Sequence, residues 1–227
     1  MVSTTNTGNN SEDKHKTSQS HHHHGRSRAF KTKLILGLFS IFLAVDLFFR
    51  EDLYNLSVQH ETIIRNQYAT LKLDKLATII SEFGDKYMVG VLIYISYHML
   101  DNSKAFIILF AAIICQAFSC FLKGLYHEAR PFFIGDFRSN GCRFEYGNPS
   151  GHSFIATGLY ITVWDLFCRH YHPSNKVKYG ILGYICTFIV VLGASRIYNG
   201  VHTYNQVLSG YSWGLLTYGV LCHIYYE

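Results

Sequence analysis

The sequence predicts an all-α, polytopic membrane protein built as a six-transmembrane-helix bundle. Three observations predict it. Of 227 residues, 49% are hydrophobic and only 15% are charged, against roughly 25% charged in an ordinary soluble domain. Six apolar stretches follow one another, at 34–49, 87–100, 105–122, 153–168, 179–194 and 207–226. Lys and Arg gather before the first stretch and in segment 169–178, between the fourth and fifth. A span needs about 17–25 residues, so several stretches are short and rely on tilt, flanking residues or a thin bilayer. A soluble protein with six such buried helices would have too little polar surface left.

Residues 1–30 come first. They are rich in Ser, Thr, Asn and His and almost free of apolar side chains, so they cannot bury a core and are expected to form a disordered cytosolic tail. Lys14, Lys16, Arg26, Arg28, Lys31 and Lys33 outweigh Glu12 and Asp13 and carry most of the net charge of +5. That balance suits a flank beside anionic lipid. The charge is too sparse, and too poor in aromatic partners, for nucleic-acid binding. His21, His22, His23 and His24 read as low-complexity tail rather than as a metal site. The charged stretch is also too long for a secretory signal peptide. Residues 31–227 then form one membrane domain.

The first apolar stretch is interrupted by Asp46. In segment 50–86, Leu71, Leu73, Leu76, Ile79, Ile80 and Phe83 fall mostly at helical spacing. They predict either an interfacial helix or one packed back onto the bundle. A short turn, 101–104, joins the second and third stretches. The fourth opens at 153, or as early as Pro149. By the positive-inside rule the tail and segment 169–178 are cytosolic. Six spans then put both ends of the chain inside, and put segments 123–152 and 195–206 together on the luminal or extracellular face. Cys115, Cys120, Cys168, Cys186 and Cys222 lie in or beside apolar stretches, as small hydrophobes do. Cys142 is the loop cysteine, and the spacings show no disulfide framework.

Three segments on that outer face are polar where they abut a span: 123–131 (KGLYHEARP), 149–152 (PSGH) and 195–202 (SRIYNGVH). Cations and imidazoles are costly near lipid unless they are paired or face a wet cavity, which makes them functional candidates; the alternative for each motif alone is a set of interfacial side chains that snorkel to headgroups. Lys and Arg match phosphate oxygens in charge and donor geometry. A seven-residue offset puts Lys123 and Arg130 on one helical face, and Pro131 ends the helix there. A helix opening at Pro149 would point free N–H groups, with the positive end of the dipole, at an anion. Gly151 lets a ligand approach the backbone, and His152 lies in the first turn. Arg196 adds a bidentate donor and His202 a second imidazole.

At these residues the chain resembles the type-2 phosphatidic acid phosphatase superfamily, whose signature is K-x6-R-P, P-S-G-H and S-R-x5-H-x3-D. The resemblance covers about residue 77 onward. It implies a metal-independent, cofactor-free phosphatase. His202 would be the nucleophile that forms a phosphohistidine, and His152 the acid that protonates the leaving alkoxide. Lys123, Arg130, Arg196, Ser150 and the Gly151 backbone would hold the phosphoryl oxygens. One position departs: the family Asp behind the nucleophile is Gln206 here, preceded by Asn205. A Gln carbonyl still accepts an imidazole N–H but lacks the charge.

The substrate implied is a phosphorylated lipid or polyprenyl diphosphate within the membrane, with membrane lipids as surroundings. The alternatives are a small phosphate ester such as a sugar phosphate, suggested by glucose-6-phosphatases sharing a Gln at this place, or a catalytically weak binding or scaffold relative. An endomembrane such as the endoplasmic reticulum, or else the plasma membrane, is the expected location. His127, Glu128, Asp136, Arg138, Arg143 and Glu145, between the first two motifs, are expected to be a solvated loop.

Overall fold

The computed structural model describes residues 10–141 and 144–226, with side chains from residue 32 to residue 225. Among the described residues there are seven α-helices and no strand. They are α1 (Asn10–Ile63), α2 (Leu71–Glu82), α3 (Lys86–Met99), α4 (Asn102–Tyr126), α5 (Gly151–Tyr171), α6 (Asn175–Tyr198) and α7 (Tyr204–Tyr226). The six apolar stretches correspond to α1 and α3 to α7. Segment 50–86 contributes the end of α1, a π-helical turn (Ile64–Tyr68) and α2. The expected tail, including the four consecutive His, falls on residues 1–9, outside the described ones, and on residues whose side chains are not described. Its backbone from Asn10 is carried as the start of α1. Cys142 and Arg143 also lie outside the described residues.

Three helical segments are long and apolar enough to cross a membrane by length and composition: Thr32–Tyr68, Asn102–Phe133 and Asn175–Tyr198. The other helices fall short for two reasons. α3 has only 14 residues. α5 and α7 carry buried polar side chains. Buried Ser153, Thr157 and Thr162 on α5 and Thr217 on α7 lower their hydropathy. Thr157, Thr162 and Thr217 donate to the carbonyls of Ser153, Gly158 and Trp213, four residues back, so burial leaves these hydroxyls satisfied.

α5 is the central element. It packs on α4, α6 and most extensively on α7, while α1 lies along α7. Phe154, Ile108, Leu159, Leu166 and Cys115 fill the α4–α5 core. Polarity runs opposite to that of a soluble protein. Leu47 and Phe48 on α1 are each 75% exposed, whereas Arg130, His202 and Gln206 are buried. Large apolar side chains facing outward are those a bilayer would cover.

α2 packs back onto the bundle, one of the two alternatives left open by its sequence. Thr70 caps it by accepting from the Leu73 N–H at 3.3 Å. Ala77 and Ser81 are buried against α6, while Leu71, Leu76 and Ile79 stay exposed. Asp46, which interrupts the first stretch, is buried and paired with Arg50 one turn on. Asp165 is likewise paired with Arg169 at 2.9 Å.

Candidate active site

Five chain segments deliver the site to one end of the bundle: the C-terminal end of α4, the α4–α5 loop, the N-terminal end of α5, the C-terminal end of α6 and the turn into α7. Lys123 sits in the last turn of α4. That helix ends at Tyr126, with His127 left-handed at φ 47°. The expectation that Lys123 and Arg130 share one helical face is therefore corrected. Arg130 lies on an extended segment that leads into a 3-10 turn, Pro131–Phe133. The two cations still converge, because the chain folds back: Lys123 Nζ and Arg130 Nη2 bind the two oxygens of Glu145 at 2.9 and 3.0 Å.

The α5 start also differs by two residues from the earliest sequence estimate. Ser150 is the N-cap and Gly151 the first helical residue, so Pro149 precedes the helix. A Cβ on Gly151 would lie 3.8 Å from Lys123 Nζ, which shows how near the α5 start comes to the cation. Ser150 Oγ, fully buried, accepts from Ser153 Oγ at 3.1 Å. His152 follows in the first turn. Its Nε2 stands 3.9 Å from Asp85 Oδ2, and Gly84 lies so close that a Cβ there would be 2.9 Å from the His152 Cβ.

Arg196 closes α6, buried, beside Ser195, whose hydroxyl pairs with Ser81 Oγ of α2 at 3.0 Å. Gly200, at φ +67°, turns the chain toward α7. His202 follows on this turn, 1% exposed. Its Nδ1 lies 3.0 Å from the Gly147 carbonyl and 3.2 Å from Gln206 Oε1. Both neighbours are acceptors, so the ring proton belongs on Nδ1. Nε2 then carries the lone pair, and Arg130 Nη1 donates to it at 3.2 Å. Burial, reinforced by Arg130, Arg196, Lys123 and His152, holds the His202 imidazole well below its ordinary range. The ring is therefore neutral at physiological pH, with a nitrogen lone pair directed into a cationic cradle.

Gln206 is held in one orientation. Its Nε2 donates to Glu128 Oε1 at 2.8 Å and to the Ala129 carbonyl at 2.9 Å, which turns Oε1 toward His202 and the Thr203 N–H. The expectation of a solvated loop between the first two motifs is thus corrected for Glu128, which is half-buried, while Glu145 stays exposed but is paired. Glu145 reaches into the cation cradle, and Glu128 lies beneath Gln206. Sequence reasoning missed both, along with Asp85. The available signal was local: Glu128 is the one carboxylate inside the K-x6-R-P segment, and Glu145 lies four residues before Pro149.

Lys123, Arg130, Gly151, His152, Arg196 and His202 line a single cavity of about 660 Å³, with Glu145 at its polar end. Val89 and Ile93 of α3 and Leu109 and Ile113 of α4 give it an apolar wall, and Asp85, Lys86 and Gln116 also line it. A neutral imidazole, a second imidazole and three cations at the end of an apolar cleft make an arrangement suited to displacement at an anionic centre.

Known proteins share this arrangement of helices. The crystal structure of a transmembrane PAP2-type phosphatidylglycerolphosphate phosphatase from Bacillus subtilis superimposes with a TM-score of 0.72, covering 87% of this chain and 96% of that one at 21% identity. Aquifex aeolicus LpxE gives a TM-score of 0.60 over 74% of this chain and 95% of that one, at 18% identity. In sequence, phosphatidylglycerophosphatase B of Bacillus subtilis (strain 168) is 38% identical over 73 residues, 31% of this chain. The matched segment spans about a third, 34%, of that relative's length. The profile of the PAP2 superfamily matches residues 104–227, the stretch that carries all three polar motifs, and the chain belongs to that superfamily.

Proposed function

We propose that the protein is an integral-membrane, metal-independent phosphatase acting on a lipid phosphate or polyprenyl diphosphate. The observation that carries this reading is the two-part cavity, with its cationic end at His202 and its apolar walls on α3 and α4. An acyl or prenyl chain fits such walls, whereas a sugar phosphate leaves them without a partner. The Bacillus relative, a phosphatidylglycerophosphatase, supports a phosphorylated lipid as substrate.

In this mechanism His202 Nε2 attacks phosphorus and forms an N–P bond. The P–O bond to the leaving alkoxide breaks, and His152 gives that oxygen a proton. Water then attacks the phosphohistidine, His152 takes its proton, and inorganic phosphate leaves. Splitting the hydrolysis in two replaces one difficult step by two easier ones. Lys123, Arg130 and Arg196, with Ser150 and the Gly151 backbone, stabilise the phosphoryl oxygens. The Glu145 carboxylate already occupies donors of Lys123 and Arg130, in the manner that phosphoryl oxygens would. Gln206 orients His202 through Oε1. The chain crosses the membrane six times in this reading. The Lys and Arg distribution supports a cytosolic tail and a luminal or extracellular site, in an endomembrane such as the endoplasmic reticulum or in the plasma membrane.

The test is phosphate release by purified protein in detergent with chelator present. The panel is phosphatidic acid, phosphatidylglycerophosphate, a polyprenyl diphosphate and glucose 6-phosphate. Turnover of a lipid substrate, lost in His202→Ala, is the expected result. Release from none of the lipids, or faster release from glucose 6-phosphate, overturns it.

A further inference from the structure

Glu128 has no part in the mechanism above, yet it occupies an unusual position. One oxygen accepts from both Gln206 Nε2 and Asn205 Nδ2 at 2.8 Å. The other accepts from Asn148 Nδ2 at 3.0 Å. Three amide groups, from the segment before α5 and from the first turn of α7, thus converge on one carboxylate. Gln206 is the single side chain between that carboxylate and His202: its Nε2 faces Glu128 and its Oε1 faces His202 Nδ1.

We infer that Glu128 is a positioning residue for His202, supplying through the Gln206 amide the negative charge that a carboxylate at residue 206 would supply directly. The inference rests on the proposed phosphatase activity. An amide hydrogen-bonded to a carboxylate on its nitrogen side is polarised, and its oxygen becomes a stronger acceptor. That oxygen shares the Nδ1 proton of His202 with the Gly147 carbonyl and helps to stabilise the imidazolium character that develops as Nε2 attacks phosphorus. No proton passes along the amide, so the effect is orientation and electrostatics alone. It also accounts for the amide-rich surroundings: Asn148, Asn205 and Gln206 supply donors to a charge that would otherwise be poorly solvated.

The groups that face His202 from the packed elements are Lys123 of α4, Arg130 and Glu145 of the intervening loop, His152 of α5 and Arg196 of α6. Arg50 and Tyr54 of α1 lie within electrostatic range of Glu128. The cations facing His202 disfavour its protonation, so the negative charge of Glu128 opposes them. Removing it lowers the His202 basicity further.

The experiment is a double-mutant cycle on the lipid substrate that the wild type turns over best, with kcat and KM followed across pH. Glu128→Gln and Gln206→Met are expected each to lower kcat about tenfold, well short of the roughly 10⁴-fold caused by disabling a directly bonded carboxylate. KM should stay within about twofold. The acidic limb of the kcat profile should move to lower pH in Glu128→Gln. The two changes together should cost no more than either alone, because both break one path. A charge swap, Glu128→Gln with Gln206→Glu, should recover most of kcat. Unchanged kcat and pH profile in Glu128→Gln overturns the inference, as do additive losses in the cycle. If Glu128→Gln does not fold, the swap decides alone: a folded, inactive swap overturns the inference and an active one upholds it. A wild type inactive on every lipid phosphate would instead overturn the phosphatase reading.

Discussion

His202 combines near-complete burial with a surrounding set of cations, and both act against protonation. The sign of the pH dependence follows. The folded-state value lies well below the 6.5 of a free imidazole, so below that pH the unfolded chain binds a proton that the folded chain refuses. The contribution of this residue to stability is therefore level above about pH 6.5 and falls as pH drops below it. The melting temperature of wild type minus that of His202→Asn should decline between about pH 6.5 and pH 5; a flat difference would contradict the assignment. Glu145 gives a second residue-level prediction. It competes with the phosphoryl group for Lys123 and Arg130, so Glu145→Gln should lower KM severalfold with little change in kcat, read from steady-state phosphate release. Gly147 gives a third. A Cβ there would lie 2.5 Å from the Gln206 amide, so Gly147→Ala must push Gln206 away from His202. The expected loss is in kcat, on the scale of about 10²-fold per ångström of misplacement. The motif residues themselves were legible in the sequence because cations and imidazoles beside apolar stretches have few other reasons to be there. Glu128 and Glu145 were not, since a carboxylate in a loop reads the same whether it is solvated or folded inward.

At the scale of elements, the crossing of α5 over α7 holds His152 and His202 at one end of the bundle. Small residues bring the backbones together. A Cβ on Gly210 would meet the Ser150 carbonyl at 2.7 Å, and one on Gly214 the Phe154 carbonyl at 2.6 Å. Those obstacles are backbone and cannot swing aside. Gly214→Leu should therefore separate the two helices and cost about 1–3 kcal/mol, measured by thermal unfolding in detergent, with loss of activity alongside. A variant as stable as wild type would show that the close approach is dispensable. α2 acts as a brace: Ser81 meets both Ser195 and Asn199 at the end of α6, the turn that carries Arg196. Its helical spacing was readable from the sequence. Its packing partner was not, because Ala77 and Ser81 are small and carry little hydropathy signal.

Across the whole molecule, the apolar exterior and polar interior set the way the chain sits in a bilayer. The site end includes the loop at Arg138, and the opposite end includes the turn at Ser174. With the native cysteines replaced by Ala, Arg138→Cys and Ser174→Cys should be labelled by an impermeant maleimide from opposite sides of sealed vesicles. Labelling of both from one side would contradict the proposed six-span topology. The hydropathy of single helices does not report this arrangement fully. Three segments qualify as spans by themselves; α5 and much of α7 pack inside the bundle with buried polar side chains that lower their hydropathy, while Leu208, Val220 and Ile224 of α7 stay exposed.

The sequence by itself determined the helical class, the places of the apolar stretches, the three polar motifs and the family to which they point. These are local quantities, set by hydropathy and by the spacing of a few residues along the chain. Only the tertiary structure decided how Lys123 and Arg130 meet after the helix between them ends, where Glu145 goes, and what stands behind Gln206. Each of those depends on a contact between segments distant in sequence. Glu128 and Gln206 are 78 residues apart, and nothing in the chemistry of either one names the other until the fold closes the gap.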